Sequence, residues 1–252
     1  MFETKLRYSS AIQPFHLLNL ESQRPLLLVC DHASRAIPEE LDGLGLTAAE
    51  LMRHIAWDIG AAVVTEELAR ILAAPAVLSG VSRLVIDCNR EPGQPTSICR
   101  NSDGTIVRGN HDLTAEQAET RVKAWYHPYQ RAIAHQLERL EQGGEPAVLV
   151  AIHSFTPCLA YCGCARPWSV GILWNQDDRL ALPLIESLKA RGVLCGDNEP
   201  YSGRLANHTV DRHGQDAKRR HVSIEIRQDE IADEAGALRW ATLLAEVLEG
   251  VL

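Results

Sequence analysis

The chain has no long uninterrupted hydrophobic run, and this absence excludes several kinds of protein. No apolar segment approaches the roughly 18–20 residues that a membrane-spanning helix needs. The first ten residues, MFETKLRYSS, lack the apolar core of a secretory signal, so we expect a cytoplasmic protein. Internal repeats and low-complexity linkers are also lacking. One domain over residues 1–252, with 46% hydrophobic residues to build its core, is therefore the simplest organisation.

Positive charge is scarce relative to negative charge. The sequence has 25 lysines and arginines against 33 aspartates and glutamates, a formal net charge of −8. A surplus of negative charge argues against nucleic acid and anionic membranes as partners. A small anionic substrate remains compatible with this composition, provided that arginines are concentrated at its binding site.

The seven cysteines lack the two spaced pairs of a familiar structural zinc site. Their odd number and the missing export signal favour reduced thiols. Cys158, Cys162 and Cys164 form a single C-x-x-x-C-G-C cluster, which we interpret as unligated thiols in a loop. A cysteine hydrolase is disfavoured, because only Cys30 lies beside a histidine and its segment is too apolar to be exposed.

Two short apolar segments that each end in a histidine carry the main prediction. Residues 26–30, LLLVC, precede Asp31 and His32, and residues 147–152, AVLVAI, precede His153. Both segments have the length and composition of buried strands. Ligands of open α/β sheets bind beyond the carboxyl ends of the strands, and neutral imidazole is the commonest metal ligand. We therefore predict one zinc site shared by the two histidines. The alternative is that each histidine merely caps a strand or binds a loop carbonyl.

Strand and helix patterns alternate along the rest of the chain. This alternation predicts a three-layer α/β/α sandwich with a mostly parallel, mixed sheet. Further strands are predicted at residues 76–78, 84–86, 170–174 and 222–226. Helices are predicted after Thr47 and Asp58, from Thr114 to residue 140, and over residues 177–190 and 229–248. Pro128 should kink the third of these near His127, and residues 91–110 should form a long loop over the site.

Residues 82–90, SRLVIDCNR, bring two arginines to the end of a predicted strand. Arg83 and Arg90 flank that strand, which ends in Asp87 and Asn89. The planar donor fork of arginine suits a substrate carboxylate or a developing oxyanion. Charged residues beside an apolar strand are costly to desolvate unless they are used or paired. The alternative is an ion pair between Asp87 and Arg90 that only pins the loop.

Glu225 is an unusual residue for the strand pattern VSIEI. Strand alternation places Ile224 and Ile226 on one face and Glu225 on the other. A glutamate in an apolar strand needs a partner or a function, so we interpret Glu225 as a general base near the zinc-bound water. A salt bridge to Arg227 or Arg220 is the alternative.

The segment from Tyr201 to Gly214 is polar and punctuated by glycine. It is typical of a flexible loop over a pocket, in which Arg204, His208 and His213 contact polar groups of the substrate. His127, next to Pro128, is a further candidate contact. For each of these residues an exposed position with no role is the alternative.

Seven segments carry a resemblance to a known family: LVCDHASRAIP, HIAWDIGA, SRLVIDCNR, HPYQ, AIHSFTP, VGILWN and VSIEIRQDE. In this order they resemble the N-formylglutamate amidohydrolase family, over residues 26–230. That family is similar to the zinc carboxypeptidases and aspartoacylases, which place a catalytic zinc in a phosphorylase/hydrolase-like α/β sandwich. The same fold is therefore expected here.

The resemblance implies that His32 and His153 are zinc ligands. The carboxypeptidase pattern takes a glutamate three residues after the first histidine, but Arg35 occupies that position. The third ligand is therefore open, with Asp58 preferred over Asp31. Two histidines, a carboxylate and a free position for water form the usual catalytic zinc site.

The resemblance also implies an activity and a role for the arginines. It implies zinc-dependent hydrolysis of the formyl amide of an N-acyl amino acid such as N-formylglutamate, giving the amino acid and formate. Arg83 would stabilise the oxyanion, and Arg90 with Asn89 would bind a substrate carboxylate. A deacylase of the N-acetyl or aspartoacylase type, and a metal-binding sensor that has lost hydrolysis, are the alternatives.

Overall fold

A seven-stranded sheet forms the centre of the computed structural model, which describes residues 12–160, 163–205 and 207–252. Its strands are β1 (Phe15–Leu18), β2 (Leu26–Cys30), β3 (Ala76–Ser79), β6 (Val148–Phe155), β7 (Val170–Leu173), β8 (Cys195–Asp197) and β9 (His221–Arg227). A separate two-stranded ribbon consists of β4 (Asn101–Ser102) and β5 (Thr105–Ile106). The order in the large sheet is β1-β3-β2-β6-β9-β7-β8. Only β1 and β7 run antiparallel to a neighbour, β1 to β3 and β7 to β9, so the mostly parallel, mixed sheet is confirmed.

Helices cover both faces of this sheet. They are α1 (Ala48–Leu51), α2 (Ala61–Ile71), α3 (Ala115–Arg121), α4 (His127–Leu140), α5 (Ala181–Ala190), α6 (His208–Val210) and α7 (Glu234–Glu249). Helices α2, α5 and α7 pack on one face and α4 packs on the other. None of the helices in the described ranges is long and apolar enough to cross a membrane.

The sequence of β2 is apolar throughout because the strand is covered on both faces. Leu26, Leu28 and Cys30 join the core beneath α2 and α7, whereas Leu27 and Val29 join the core beneath α4. All five residues are buried, because the strand is covered on both faces. The polar residue that follows, Asp31, therefore emerges at the sheet edge rather than from a solvated face.

The helix starts predicted at Thr47 and Thr114 are confirmed, and each is a capping box. The Thr47 side chain accepts from the Glu50 N–H at the start of α1, and Thr114 with Gln117 repeats the arrangement at the start of α3. The long predicted helix is interrupted where Pro128 requires it. A π-helical turn, Val122–Tyr126, separates α3 from α4, and Pro128 lies in the first turn of α4, where its missing N–H is not needed.

Two element predictions are wrong, and two strands were missed. Residues 84–86 form a buried turn region instead of a strand, because their carbonyls accept from side chains. Asn110 donates to the Leu84 carbonyl and Arg121 donates to the Val85 carbonyl. Helix α2 begins at Ala61 with Gly60 as its N-cap, so the predicted helix cap at Asp58 is wrong too. The edge strands β1 and β8 were not predicted, because at four and three residues they are too short for a periodic pattern.

Candidate active site

The adjacent parallel strands β2, β6 and β9 bring the main predicted site residues to one edge of the sheet. Asp31 and His32 directly follow β2, whereas His153 lies inside β6, which extends three residues beyond its predicted end. His153 and Glu225 are direct register partners across β6 and β9. Parallel strands end at the same edge, so residues distant in sequence meet there.

Asp58 is delivered by the turn that leads into α2. Its N–H donates to the His32 carbonyl over 3.0 Å, which joins this turn to the end of β2. The side chain, freed from capping the helix, points at the histidines and is buried at 3% exposure. One of its oxygens also accepts from the Ser154 N–H at 3.3 Å. Asp58 is therefore fixed from both flanking strands.

His32, Asp58 and His153 form a compact group that is suited to hold a metal ion. Asp58 Oδ2 lies 3.2 Å from His32 Nδ1 and 2.9 Å from His153 Nδ1. Neighbouring ligand atoms around a tetrahedral Zn²⁺ are separated by about 3.3 Å, given metal–ligand distances near 2.0–2.1 Å. Two carboxylates were considered as the third metal ligand, Asp58 and Asp31. The group contains Asp58, which was the preferred one.

A second carboxylate lies behind each histidine. His32 Nε2 is 2.7 Å from Asp87 Oδ1, and His153 Nε2 is 3.1 Å from Asp31 Oδ2. Metal-ligating histidines commonly direct their remote ring nitrogen at a carboxylate, which fixes the ring and its tautomer. Both rings thus present Nδ1 to the same point, and the remote nitrogen of each ring faces a carboxylate.

Arg83 joins two of these carboxylates. Its guanidinium is 2.8 Å from Asp87 Oδ2 and 3.4 Å from Asp58 Oδ1. Its side chain is about one-quarter exposed, so part of the charge still faces the cavity. The proposed pair between Asp87 and Arg90 is absent from the ion pairs of the described residues, since Asp87 is engaged by Arg83 and His32.

The charges of this cluster fit a bound cation. Burial disfavours every charged form, but the opposite charges outweigh burial and lower the pKa values of Asp58 and Asp87. For the same reason the pKa of His32 is raised and that of His153 is raised well above the usual range. With neutral histidines the four carboxylates Asp31, Asp58, Asp87 and Glu225 outnumber the two guanidinium groups of Arg83 and Arg90. A divalent cation at the histidines would offset this surplus.

Glu225 lies beside the group without a hydrogen-bond partner for Oε2. It is 8% exposed, and burial raises the pKa of its carboxyl, while the charge of His153 acts in the opposite direction. Neither alternative partner reaches it. Arg227 pairs with Asp229 and Glu230, and Arg220 donates to the Leu252 carbonyl.

A cavity of about 490 Å³ opens over these residues. Arg90, Asn89 and Arg83 line it, whereas their contacts with a substrate stay a prediction. The Arg90 guanidinium donates to the Asn89 carbonyl at 2.7 Å, and no carboxylate of the described chain pairs with it. Arg90 is thus available to an anionic substrate.

The segment Asn198–Ser202 forms the opposite wall of the cavity. It lies directly on β7, because Gly171 has no side chain there: an added Cβ would come within 2.0 Å of the Glu199 carbonyl oxygen. Gly171 is also the β7 register partner of Glu225. The same glycine therefore brings this wall close to the glutamate.

Four predicted substrate contacts lie outside the cavity wall. His127 is exposed at the start of α4, and the Arg204 guanidinium stacks over the Trp174 ring at 4.9 Å. His208 Nε2 is 2.6 Å from the Tyr126 hydroxyl. His213 is buried with its Nε2 2.7 Å from Gln130 Oε1, and burial lowers its pKa to about 4. Polar composition alone did not distinguish these positions from pocket residues.

His54 lines the cavity although the sequence analysis did not select it. Its Nε2 is 3.5 Å from Asp103 Oδ2, at the tip of the β4–β5 ribbon. Asp103 also accepts from Arg53 and from the Ala160 N–H. The predicted loop over the site therefore contains a ribbon that is fastened beside the cavity. The position of His54 within HIAWDIGA, four residues before Asp58, was the available signal.

None of the cysteines that the structure describes lines this cavity. Cys30 is fully buried and burial raises its thiol pKa well above the usual range, which makes a nucleophilic thiolate there untenable. Cys158 and Cys164 are exposed, and Cys162 lies outside the described residues. The interpretation of this cluster as loop thiols stays a prediction.

Fold and site together define an α/β enzyme with a His–Asp–His group at the carboxyl edge of a mixed sheet. The family model of the N-formylglutamate amidohydrolases matches residues 24–232. The chain therefore belongs to the N-formylglutamate amidohydrolase family, which confirms the resemblance, and it is a hydrolase that acts on amide bonds.

Two solved structures share this fold. A gene product of Agrobacterium tumefaciens is 34% identical with a TM-score of 0.91, covering 95% of this chain and 94% of that chain. The N-formylglutamate amidohydrolase of Ralstonia eutropha shares the fold at 19% identity and a TM-score of 0.69, covering 95% of this chain and 98% of that chain. No curated protein matches the sequence.

Proposed function

We propose that the protein is a zinc-dependent amidohydrolase that cleaves the formyl amide of an N-acyl amino acid such as N-formylglutamate. One observation carries this proposal: two histidine Nδ1 atoms converge on one oxygen of Asp58, with a carboxylate behind each ring. His32, Asp58 and His153 would hold the metal. Zn²⁺ in such a site supplies an acidic bound water and polarises a carbonyl oxygen.

Glu225 acts as the general base in this proposal. Its carboxylate takes the proton of the attacking water and passes it to the leaving nitrogen of the amide, so that formate and the free amino acid result. The unpartnered Oε2 supports this role, because no other group competes for the incoming proton. Its raised pKa makes the carboxylate a stronger base than an exposed glutamate.

The arginines bind and stabilise charge. Arg83, held by Asp58 and Asp87, directs its remaining donors at the oxyanion that develops as the carbonyl is attacked. Arg90, free of a carboxylate partner in the described chain, binds the substrate carboxylate, and Asn89 lines the cavity beside it. An acidic protein can accept an anionic substrate only where guanidinium groups face the pocket, and these two do.

The experiment is an assay of formate release combined with metal analysis. Purified protein should contain about one zinc per chain. It should release formate from N-formylglutamate, lose activity with a chelator, and regain it with Zn²⁺. His153→Ala should abolish zinc binding and hydrolysis, whereas His135→Ala, on the exposed side of α4, should change neither.

N-acetylglutamate and N-acetylaspartate belong in the same assay. A clear preference for either acetylated substrate would replace the formyl assignment with a deacylase of the aspartoacylase type. Metal-free protein with chelator-resistant hydrolysis would refute the zinc mechanism.

A further inference from the structure

We propose that Thr209 is a positioning residue of the metal site: its hydroxyl fixes the Asp31 carboxylate, which in turn fixes the ring of His153. The proposal rests on the proposed function, because it concerns the metal-binding group. Thr209 does not line the cavity, so any effect on the site must pass through Asp31 or Asn89.

The hydroxyl of Thr209 has one strong acceptor. Its Oγ1 is 2.6 Å from Asp31 Oδ1, and the next acceptor, the Cys88 carbonyl, is 3.4 Å away. Thr209 is fully buried and Asp31 is 1% exposed, so water does not substitute for this bond. A buried hydrogen bond between a hydroxyl and a carboxylate is short and strongly directional.

This bond determines which way Asp31 faces. With Oδ1 engaged by Thr209, the other oxygen, Oδ2, lies 3.1 Å from His153 Nε2. Neither of these two atoms has a hydrogen-bond partner elsewhere in the described chain. An N–H···O bond between them would fix the ring of His153 and, with it, the direction of Nδ1. Thr209 thereby controls the orientation of a proposed ligand that it does not touch.

The backbone of Thr209 reaches the second histidine. Its N–H donates to Asn89 Oδ1 at 2.9 Å, and the Asn89 N–H donates to Asp87 Oδ1 at 2.9 Å. That same oxygen is 2.7 Å from His32 Nε2. One residue of α6 is therefore connected to both histidine rings, by its side chain to one and by its main chain to the other.

Removing the hydroxyl should weaken metal binding, because outer hydrogen-bond partners of ligands typically contribute about 10–100-fold to metal affinity. Thr209→Val keeps the shape of the side chain and the backbone N–H but removes the donor to Asp31. Thr209→Ser restores the donor and lacks only the methyl group. Thr65→Val is the matched control, since Thr65 is also fully buried but donates to the Ala61 carbonyl within α2.

The test measures zinc affinity of the full chain by competition with a chromophoric chelator, with the visible spectrum of bound Co²⁺ as a second readout. We expect about 10–100-fold weaker zinc binding for Thr209→Val, with a changed Co²⁺ spectrum. Thr209→Ser and Thr65→Val should bind like the wild type. Circular dichroism of the metal-free proteins checks folding, and Thr209→Ala repeats the test if the valine variant does not fold.

Wild-type affinity in Thr209→Val or Thr209→Ala would overturn the proposal. So would a serine variant that binds as weakly as the valine variant, because the methyl group and not the hydroxyl would then be responsible. A wild-type protein that binds no zinc would overturn the proposed function itself. The two failures are thus distinguished by the wild-type measurement.

Discussion

Glu225 occupies an energetically unfavourable position for a single side chain. Its carboxylate is buried on a central strand, lacks a partner for one oxygen, and has three aspartates around the same two histidines. A protein that needed only stability would place an apolar residue there. The cost becomes intelligible if the free oxygen must accept a proton during the reaction.

We expect Glu225→Gln to separate chemistry from metal binding. The amide keeps the shape of the side chain but cannot act as a base, so turnover should fall by about 10²–10⁴-fold. Zinc content should be unchanged, because Glu225 is not a member of the His–Asp–His group. The measurements are kcat for formate release and metal content.

Glu246→Gln, on an exposed position of α7, is the matched control and should be fully active. Near wild-type turnover in Glu225→Gln would exclude Glu225 as the base.

The residues that sequence reasoning identified share one property: they interrupt an apolar pattern. His32, His153 and Glu225 stand next to or within buried strands, where a polar side chain is visible against its neighbours. Thr209 lies in polar surroundings, so nothing in its local sequence separates it from ordinary loop residues, whereas for His54 the only signal was its place in HIAWDIGA. Their roles depend on tertiary neighbours such as Asp31 and Asp103.

At the level of elements, the start of α2 determines where Asp58 lies. Gly60 has φ +82°, and a Cβ added there would come within 2.3 Å of the Ile231 carbonyl oxygen. The chain can turn from Asp58 into the helix only because this position is glycine. The helix entrance thus joins the site to the segment that follows β9.

We predict that Gly60→Ala is more destabilising than the same change at Gly93. Gly93 also has a positive φ, +90°, but an added Cβ meets nothing within 4 Å. Gly93→Ala should therefore cost about 1 kcal/mol of unfolding free energy, for the backbone conformation alone. Gly60→Ala adds a steric conflict and should cost about 1–3 kcal/mol more. Urea unfolding measures both.

The glycine at the helix entrance should also affect the site. Because Asp58 is two residues away, zinc affinity should fall in Gly60→Ala and stay unchanged in Gly93→Ala. Equal losses of stability in the two variants would contradict the close approach to Ile231.

Element predictions succeeded where the hydrogen bonds of a segment are local or regular. The capping boxes at Thr47 and Thr114 involve residues three apart, and the central strands are continuously apolar. The failure at residues 84–86 has a different origin. An apolar run can be buried as a turn if distant side chains satisfy its carbonyls, here Asn110 and Arg121, and sequence periodicity carries no information on such partners.

For the molecule as a whole, the proposed metal contributes to stability as well as to chemistry. The buried cluster gathers four carboxylates around two histidines and Arg83, a set of charges that suits a bound cation. Only the folded chain brings residues 32, 58 and 153 together. Metal binding is then linked to folding, and the free energy of unfolding rises with metal concentration.

We therefore expect zinc to raise the melting temperature of the metal-free protein. At a free zinc concentration about 1,000 times Kd, the stabilisation is about 4 kcal/mol. For a chain of this size that corresponds to a shift of roughly 8–16 °C. Calorimetry of the metal-free protein with and without Zn²⁺ measures it.

His153→Ala should show no zinc-dependent shift in that calorimetry, whereas Glu225→Gln should retain the full shift. An unchanged melting temperature for the wild type, or the same shift in His153→Ala, would refute the linkage.

The pairing of His153 with Glu225 across two neighbouring strands has a consequence for misfolding of the sheet. If β9 shifted by one residue, Glu225 would turn into the apolar layer under α2 and α7, and Ile224 or Ile226 would take its place. If Glu225 is the base, such a molecule would turn over as slowly as Glu225→Gln, because the base would be missing from the site. Specific activity in a refolded sample would thus count the molecules whose sheet had assembled in register.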